Sequence, residues 1–227
     1  MVIFIEKERD YMRTKLLPKV FLWLFVGLLI TFISGYFVST NTKMLGNIYN
    51  SGLYWIFVIL EVAIAFILSL KVATLNKHVA TCLYIFYTFL TGLTISFIFE
   101  AYKIDSIIII FLITSILFGV FALIGKFTKI DLSKFWVYLL IGLIAIVILS
   151  IVNAFILSEK LNIFTCILGI VIFLGYVAFD VNRIVKTPDY DEISDSAYPI
   201  VFAFNLYIDF INVFLDLLRL FGDFKND

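Results

Sequence analysis

Five polar side chains recur along the last long apolar run of the chain. They are separated by 4, 3, 4 and 3 residues: Asn205, Asp209, Asn212, Asp216 and Arg219. On an α-helix this spacing places all five along one stripe. Such a stripe can hold helices together through hydrogen bonds, or it can bind a proton or a hard cation, which prefers oxygen ligands.

Asp209 is the residue of this stripe that most strongly indicates a proton-binding or cation-binding site. No basic residue lies three or four positions from it, so its charge needs a partner from another helix, a cation or a proton. The nearest candidate is Asp180, on the preceding, antiparallel run. Two carboxylates in a site of low dielectric constant cannot both ionise cheaply, so we expect the pair to share a proton and titrate as a unit. When both are ionised, the pair suits a hard cation.

Three other acidic features are open to simpler interpretations. Asp216 has Arg219 three positions on, and we expect the two to form an ion pair near the end of the last run. Glu61, in the second apolar run, either lines a pathway or bonds to a neighbouring helix. The loop 189–195 holds four carboxylates, but their spacing does not match an EF-hand, so we interpret it as a solvated run of charge.

These side chains belong to a chain of 227 residues that is 63% hydrophobic and 15% charged. Soluble domains have roughly 45–50% apolar and about 25% charged residues, so the composition excludes a soluble globular fold. Lys and Arg number 17, as do Asp and Glu, which leaves no basic surface for nucleic acid. Two cysteines in apolar runs and a single histidine give no support for a disulfide framework, a zinc site or a bound cofactor.

Seven apolar runs are long enough to cross a bilayer as helices, which takes about 20 residues each. We number them spans 1 to 7, at about 18–38, 52–70, 79–99, 106–125, 135–157, 162–182 and 197–221. Pro18 is expected to open span 1, because proline is tolerated in the first turn of a helix. The chain therefore predicts one all-α domain over residues 1–227, a polytopic seven-transmembrane helical bundle. The face of span 7 opposite the polar stripe, with Val201, Phe202 and Leu218, is apolar enough to contact lipid.

The basic residues of the loops predict the orientation of the chain in the membrane. If the N-terminus is inside, 12 of the 17 Lys and Arg residues lie in inner segments. The outer segments hold the other five: Lys43, Lys103, Lys160, Arg219 and Lys225. We therefore expect the polar segment 1–17 to be cytoplasmic and the C-terminus, after seven crossings, to lie outside.

Two motifs carry a resemblance to a known family. The more specific is LeuTyrIleAspPheIleAsnValPheLeuAspLeuLeuArgLeuPheGly at 206–222, and the other is GlyTyrValAlaPheAsp at 175–180. Together with apolar similarities at 17–31, 88–96 and 118–133, they make nearly the whole chain resemble the Bax inhibitor-1 family of transmembrane proteins. That family commonly has Tyr-Asp where this chain has Phe179 and Asp180.

The resemblance implies a seven-helix fold with a central last helix wrapped by the others. It also implies a pH-sensitive calcium leak channel in which a pair of aspartates on the last two spans acts as sensor and gate. That pair falls on Asp180 and Asp209, which would also be the calcium-binding residues. The carboxylate and the basic residue that the family uses on the second span fall on Glu61 and Lys71, while Asp216 and Arg219 are supporting residues.

Two other functions remain open. An intramembrane aspartyl protease also uses two aspartates on adjacent spans, but its signature has glycines before the second Asp, whereas Asp209 follows Tyr207 and Ile208. A non-conducting regulatory membrane protein would act through protein partners instead. The abundance of Ile, Phe, Asn and Lys is typical of a bacterial source, so we expect a protein of the bacterial plasma membrane. We expect it to be non-enzymatic, with the lipid bilayer and calcium ions as its partners.

Overall fold

The structure, a computed structural model, describes residues 2–70, 75–187 and 196–225, with side chains from Leu16 onward. In these ranges, seven helical segments are long and apolar enough to cross a membrane: Leu16–Ser39, Leu53–Leu70, Lys77–Ala101, Ile104–Phe127, Leu132–Ile156, Glu159–Lys186 and Tyr198–Phe221. They correspond to spans 1 to 7, so the predicted polytopic all-α fold is confirmed.

The start of span 1 differs from the prediction. Its helix runs without interruption from Val2 to Ser39, and Pro18 lies inside it. The prediction that Pro18 opens this helix is therefore wrong. A proline in a helix interior removes one backbone hydrogen bond, but membrane helices tolerate this because neighbouring groups satisfy the freed carbonyl.

Two spans consist of more than one helical segment, and a short helix precedes span 2. Span 3 comprises Lys77–Thr94 and, after a turn, Ile98–Ala101, while span 5 comprises the 3₁₀ helix Leu132–Phe135 and the α-helix Trp136–Ile156. The short helix Thr42–Asn50 lies between spans 1 and 2, outside the apolar runs. Its first turn is capped by the side chain of Asn41, which accepts from the backbone N–H of Met44 at 3.2 Å.

The chain divides into two compact units that share span 7. The first unit holds the described residues up to Lys103 together with Thr187–Tyr207, and the second holds Ile104–Lys186 together with Ile208–Lys225. Span 7 is one continuous helix, so its first half belongs to the first unit and its second half to the second. The assignment of residues 1–227 to a single domain stays a prediction.

In the first unit, spans 1 and 3 pack closely because small residues face each other. A Cβ at Gly92 would lie 2.6 Å from the backbone oxygen of Thr31, so only glycine permits this approach. The Thr31 hydroxyl donates to the backbone oxygen of Thr88 at 2.8 Å and is also bonded to the Tyr207 hydroxyl at 2.6 Å. These contacts tie the first half of span 7 to spans 1 and 3.

In the second unit, spans 4 and 6 approach closely beside Asp180. A Cβ at Gly125 would lie 2.2 Å from the backbone oxygen of Ala178. The buried side-chain amide of Asn182 donates to the backbone oxygen of Gly125 at 3.0 Å. Ala178 and Asn182 flank Asp180, so this contact fixes the part of span 6 that carries the acidic residue.

Replacing Gly125 by Ala should destabilise the protein, because the added methyl group meets a backbone atom that cannot move aside. Overpacking of this kind costs about 1–3 kcal/mol. Gly119→Ala is a matched control, since it lies in the same helix and a Cβ there meets nothing within 4 Å. Thermal unfolding in detergent should show a lower midpoint for Gly125→Ala alone. Equal midpoints for the two variants would mean that the contact between Gly125 and Ala178 is not tight.

Span 7 is the most buried of the seven spans in the described part of the chain. In its most apolar window, 72% of the residues are buried, against at most 44% in any other span. The central position that the resemblance implied for this helix stays a prediction. The expectation that its apolar face contacts lipid is wrong, because Val201, Phe202 and Leu218 are all at most 5% exposed. A helix covered by protein can be apolar on the sides that its polar stripe leaves free.

Candidate functional site

Asp180 and Asp209 are both buried in the second unit, and each is 6% exposed. Asp180 lies near the end of span 6, and Asp209 lies in the part of span 7 that begins at Ile208. The two carboxylates interact electrostatically, so the structure brings together the pair that the sequence singled out. Their role as gate stays a prediction, but their burial and proximity meet the physical conditions for it.

One oxygen of the pair lacks a hydrogen bond. Among the described residues, Oδ2 of Asp209 is the buried side-chain atom without a hydrogen-bond partner. A buried polar atom left unsatisfied costs about 1–3 kcal/mol, so native structures keep few of them. Such an atom beside a second carboxylate is a natural place for a proton or a cation to bind.

Two neighbours of the pair were missed in the sequence. Arg183 lies three residues after Asp180 and attracts its charge, and Tyr176 lies four residues before it and interacts with both carboxylates. The spacing of both residues from Asp180 could have revealed them, because residues three or four positions apart share a helix face.

Asp216 and Arg219 form the ion pair that their spacing predicted. Nη1 of Arg219 donates to Oδ1 of Asp216 at 3.0 Å. The Asp216 side chain is 10% exposed and that of Arg219 is 51% exposed. The stripe is therefore not uniform, since Asp216 has a cationic partner on its own helix and Asp209 does not. Asn212, between them, donates to the backbone oxygen of Ile208 in its own helix.

Glu61 lies in the first unit and is half-buried. Its Oε1 accepts from the Thr94 hydroxyl at 2.9 Å, and the Thr91 hydroxyl also bonds to the carboxylate. Thr94 ends the first segment of span 3, directly before the turn. Glu61 therefore has the neighbouring-helix partner that the simpler interpretation required, at a point where the helix of span 3 is interrupted.

Two predicted features lie outside the described residues, namely Lys71 and the acidic loop 189–195. Within residues 2–70, 75–187 and 196–225, no group of three or more His, Cys, Asp or Glu side chains is placed to hold a metal ion. Calcium takes 6–8 oxygen ligands in its protein sites. Two carboxylates alone do not complete such a site, and calcium binding by Asp180 and Asp209 stays a prediction.

The fold and these buried acidic residues define a multi-pass helical membrane protein. The sequence model of the family described as "Inhibitor of apoptosis-promoting Bax1" matches residues 13–226. The chain therefore belongs to the Bax inhibitor-1 family, as the two motifs implied.

Its relatives are bacterial proteins of similar length. The chain is 34% identical to inner membrane protein YbhL of Escherichia coli K12, over 91% of each chain. It is 37% identical to an uncharacterised protein of Borreliella burgdorferi, over 98% of this chain and 97% of the relative. An uncharacterised protein of Rickettsia prowazekii is 32% identical, over 97% and 92% of the two chains.

Proposed function

We propose that this protein is a pH-sensitive calcium leak channel and that Asp180 and Asp209 form its gate. The observation that carries the proposal is the buried Oδ2 of Asp209, which has no hydrogen-bond partner and lies on a residue that interacts with a second buried carboxylate. Ionisable groups inside a membrane are costly and usually mark a pathway for ions or protons. A purely structural aspartate would be expected to satisfy both of its oxygens.

The gate works through one shared proton. At low pH the proton bridges the two carboxylates and ties the end of span 6 to span 7. As the pH rises the proton leaves and the charges repel. For carboxylates about 4 Å apart, the repulsion is about 4 kcal/mol at an effective dielectric constant near 20. Since each ~1.4 kcal/mol is a factor of ten, this shifts a marginal closed–open equilibrium several hundredfold.

The charged and titratable neighbours make the two carboxylates unequal. Arg183 balances the charge of Asp180, and Tyr176 faces both acids. Asp209 therefore carries the uncompensated charge and is the residue that a passing calcium ion would contact. Glu61 would line the pathway within the first unit, with Thr91 and Thr94 as its hydroxyl partners.

An exposed carboxylate near the end of span 6 does not compete for the sensor role. Asp131 accepts from the hydroxyl and the backbone N–H of Ser133, and Lys186 lies 3.7 Å away. The two hydrogen bonds, with a smaller contribution from Lys186, hold the pKa of Asp131 below its usual range. Asp131 therefore stays ionised throughout the neutral range and cannot make the leak depend on pH there.

Purified protein in liposomes without any other protein tests this function. A channel should pass calcium on its own, whereas a regulatory protein that acts through partners should not. Incubation of the same preparation with a membrane-spanning peptide tests the aspartyl protease, which would cleave the peptide. We expect calcium flux and no cleavage. Cleavage without flux would mean that the protein is an aspartyl protease and not a calcium channel.

The proposed cellular site is the bacterial plasma membrane, where the name of the relative YbhL also puts that protein. With the N-terminus in the cytoplasm, seven crossings leave the C-terminus outside. A reporter that is active on only one side of the membrane, fused after Asp227, should therefore be active only in its external form. If the N-terminus is cytoplasmic, a cytoplasmic signal from the C-terminus would mean that the chain crosses the membrane an even number of times. The proposed external location of the C-terminus would then be wrong.

A further inference from the structure

One end of the second unit is strongly basic. It is the end at which span 4 finishes, span 5 begins and span 6 finishes. Four exposed lysines lie there, and we call them the basic rim: Lys126, Lys129, Lys134 and Lys186. The charges of Asp180 and Arg183, near the same end, balance each other. Four lysines against Asp131, the acidic residue among them, therefore leave this end with a net charge of +3.

The opposite end of the same unit has no such excess of positive charge. Among the residues that the structure describes there, Asp216 and Arg219 form a balanced ion pair. The other charged residues are three acids and two lysines: Asp105, Glu159, Asp223, Lys160 and Lys225. The positive charge is thus concentrated at one end of the unit, where it attracts anions.

Contacts gather two lysines of the rim at the turn between spans 4 and 5, although they come from different spans. Nζ of Lys186, at the end of span 6, donates to the backbone oxygen of Ile130 at 3.2 Å. It also lies 3.7 Å from Oδ1 of Asp131. Lys134, in the 3₁₀ helix that begins span 5, attracts the charge of the same Asp131. The rim is therefore assembled by the fold from separate parts of the chain.

An exposed band of apolar and aromatic side chains lies directly beside the basic rim. Its members are all at least 48% exposed: Phe127, Ile130, Phe135, Trp136 and Tyr138. Nζ of Lys126 lies 5.2 Å from the centre of the Phe127 ring, so an ammonium group rests on a side chain of the band. Trp and Tyr are enriched at the level of the lipid headgroups. In the described chain, no residue in the most apolar window of span 5 is buried, which leaves this side open to lipid.

We propose that the basic rim binds the headgroup of an anionic phospholipid whose acyl chains lie on the exposed band. The lysines attract the phosphate, and the indole N–H of Trp136 and the hydroxyl of Tyr138 can donate hydrogen bonds at the same level. Basic groups beside transmembrane helices bind anionic headgroups in this way. A soluble anion would use the lysines alone, whereas a phospholipid uses both the charge and the apolar band. The proposal does not depend on the calcium leak.

Quenching of Trp136 by brominated lipids tests the site in liposomes. The chain has three tryptophans, so Trp23→Phe and Trp55→Phe together give a reporter protein in which Trp136 alone remains. Brominated phosphatidylglycerol diluted into phosphatidylcholine is compared with brominated phosphatidylcholine diluted into phosphatidylglycerol, which gives the relative affinity of the two lipids. We expect phosphatidylglycerol to bind beside Trp136 about tenfold more tightly at low salt. This preference should shrink as sodium chloride is added, because salt screens the lysines.

Two triple variants of the reporter protein show whether the rim is responsible. Replacing Lys126, Lys129 and Lys134 by Gln should bring the lipid preference close to one. The matched control replaces three lysines outside the rim by Gln: Lys43, Lys103 and Lys160. It has the same net charge as the first variant, and it should keep the preference of the reporter protein.

Three results would overturn the proposal. The first is a reporter protein without lipid preference. The second is an equal loss of preference in both triple variants, since the overall charge of the protein would then be the cause. The third is loss of the preference when millimolar inorganic phosphate is added, because the rim would then bind a free anion and not a lipid. Monodisperse elution and an unchanged circular dichroism spectrum show that each variant is folded.

Discussion

Replacing Asp209 by Asn should make the protein more stable at neutral pH. The substitution removes a buried charge, and the new amide can donate a hydrogen bond to Asp180. Because Oδ2 of Asp209 is unsatisfied in the native protein, the expected gain is comparable to the cost of such an atom, about 1–3 kcal/mol. Proteins often keep destabilising groups of this kind where function needs them. Thermal unfolding in detergent measures the gain as a higher midpoint.

Asp216→Asn is the matched control for this stability measurement. It makes the same chemical change on the same helix, but it breaks the ion pair with Arg219 instead of relieving an unpaired oxygen. We expect its unfolding midpoint to stay the same or fall slightly, because the Arg219 side chain that loses its partner is 51% exposed and can be hydrated instead. A lower midpoint for Asp209→Asn would contradict the account, because it would make Asp209 part of the structural hydrogen bonding.

Asp209→Asn should also change calcium flux far more than Asp216→Asn does. Asp209 has no cationic partner on its own helix and is the carboxylate that meets the ion, whereas Asp216 is already neutralised by Arg219. Initial flux into liposomes, compared at equal protein density, measures the difference. We expect the flux of Asp216→Asn to stay close to that of the native protein.

Equal losses of flux in these two variants would have a different meaning. Both aspartates would then act through the packing of span 7, and the polar stripe would be a set of interhelical contacts. In transmembrane proteins such contacts contribute about 0.6 kcal/mol each, so losing one of them would weaken the bundle without removing a specific ion site.

Much of the fold follows from composition and the length of the apolar runs. Seven runs of suitable length predict seven helices, because a helix satisfies its own backbone groups inside the bilayer. The ion pair of Asp216 and Arg219 follows from their spacing alone. The sequence predicts the proximity of Asp180 and Asp209 only in part. Spans 6 and 7 are consecutive and antiparallel, but Asp180 lies near the end of span 6 and Asp209 lies twelve residues into span 7, so their contact depends on how the helices pack.

Other features depend on tertiary packing and leave little trace in the sequence. The apolar face of span 7 looks suited to lipid, because the side chains that a protein interior selects are as apolar as those that lipid selects. Pro18 looks like a helix start, because its position at the edge of an apolar run does not reveal the helical segment before it. The close approach of Gly169 in span 6 to the carboxylate of Asp216 in span 7 joins residues 47 positions apart, which spacing rules do not detect.

The central claim is that Asp180 and Asp209 gate a calcium leak by sharing a proton. The most direct test is calcium flux into liposomes as a function of pH for the native protein, Asp180→Asn and Asp209→Asn. The account predicts that native flux rises with pH through the neutral range, because the shared proton leaves and the gate opens. It also predicts that both variants lose this pH dependence. If either variant keeps the native pH profile, the shared-proton gate is wrong.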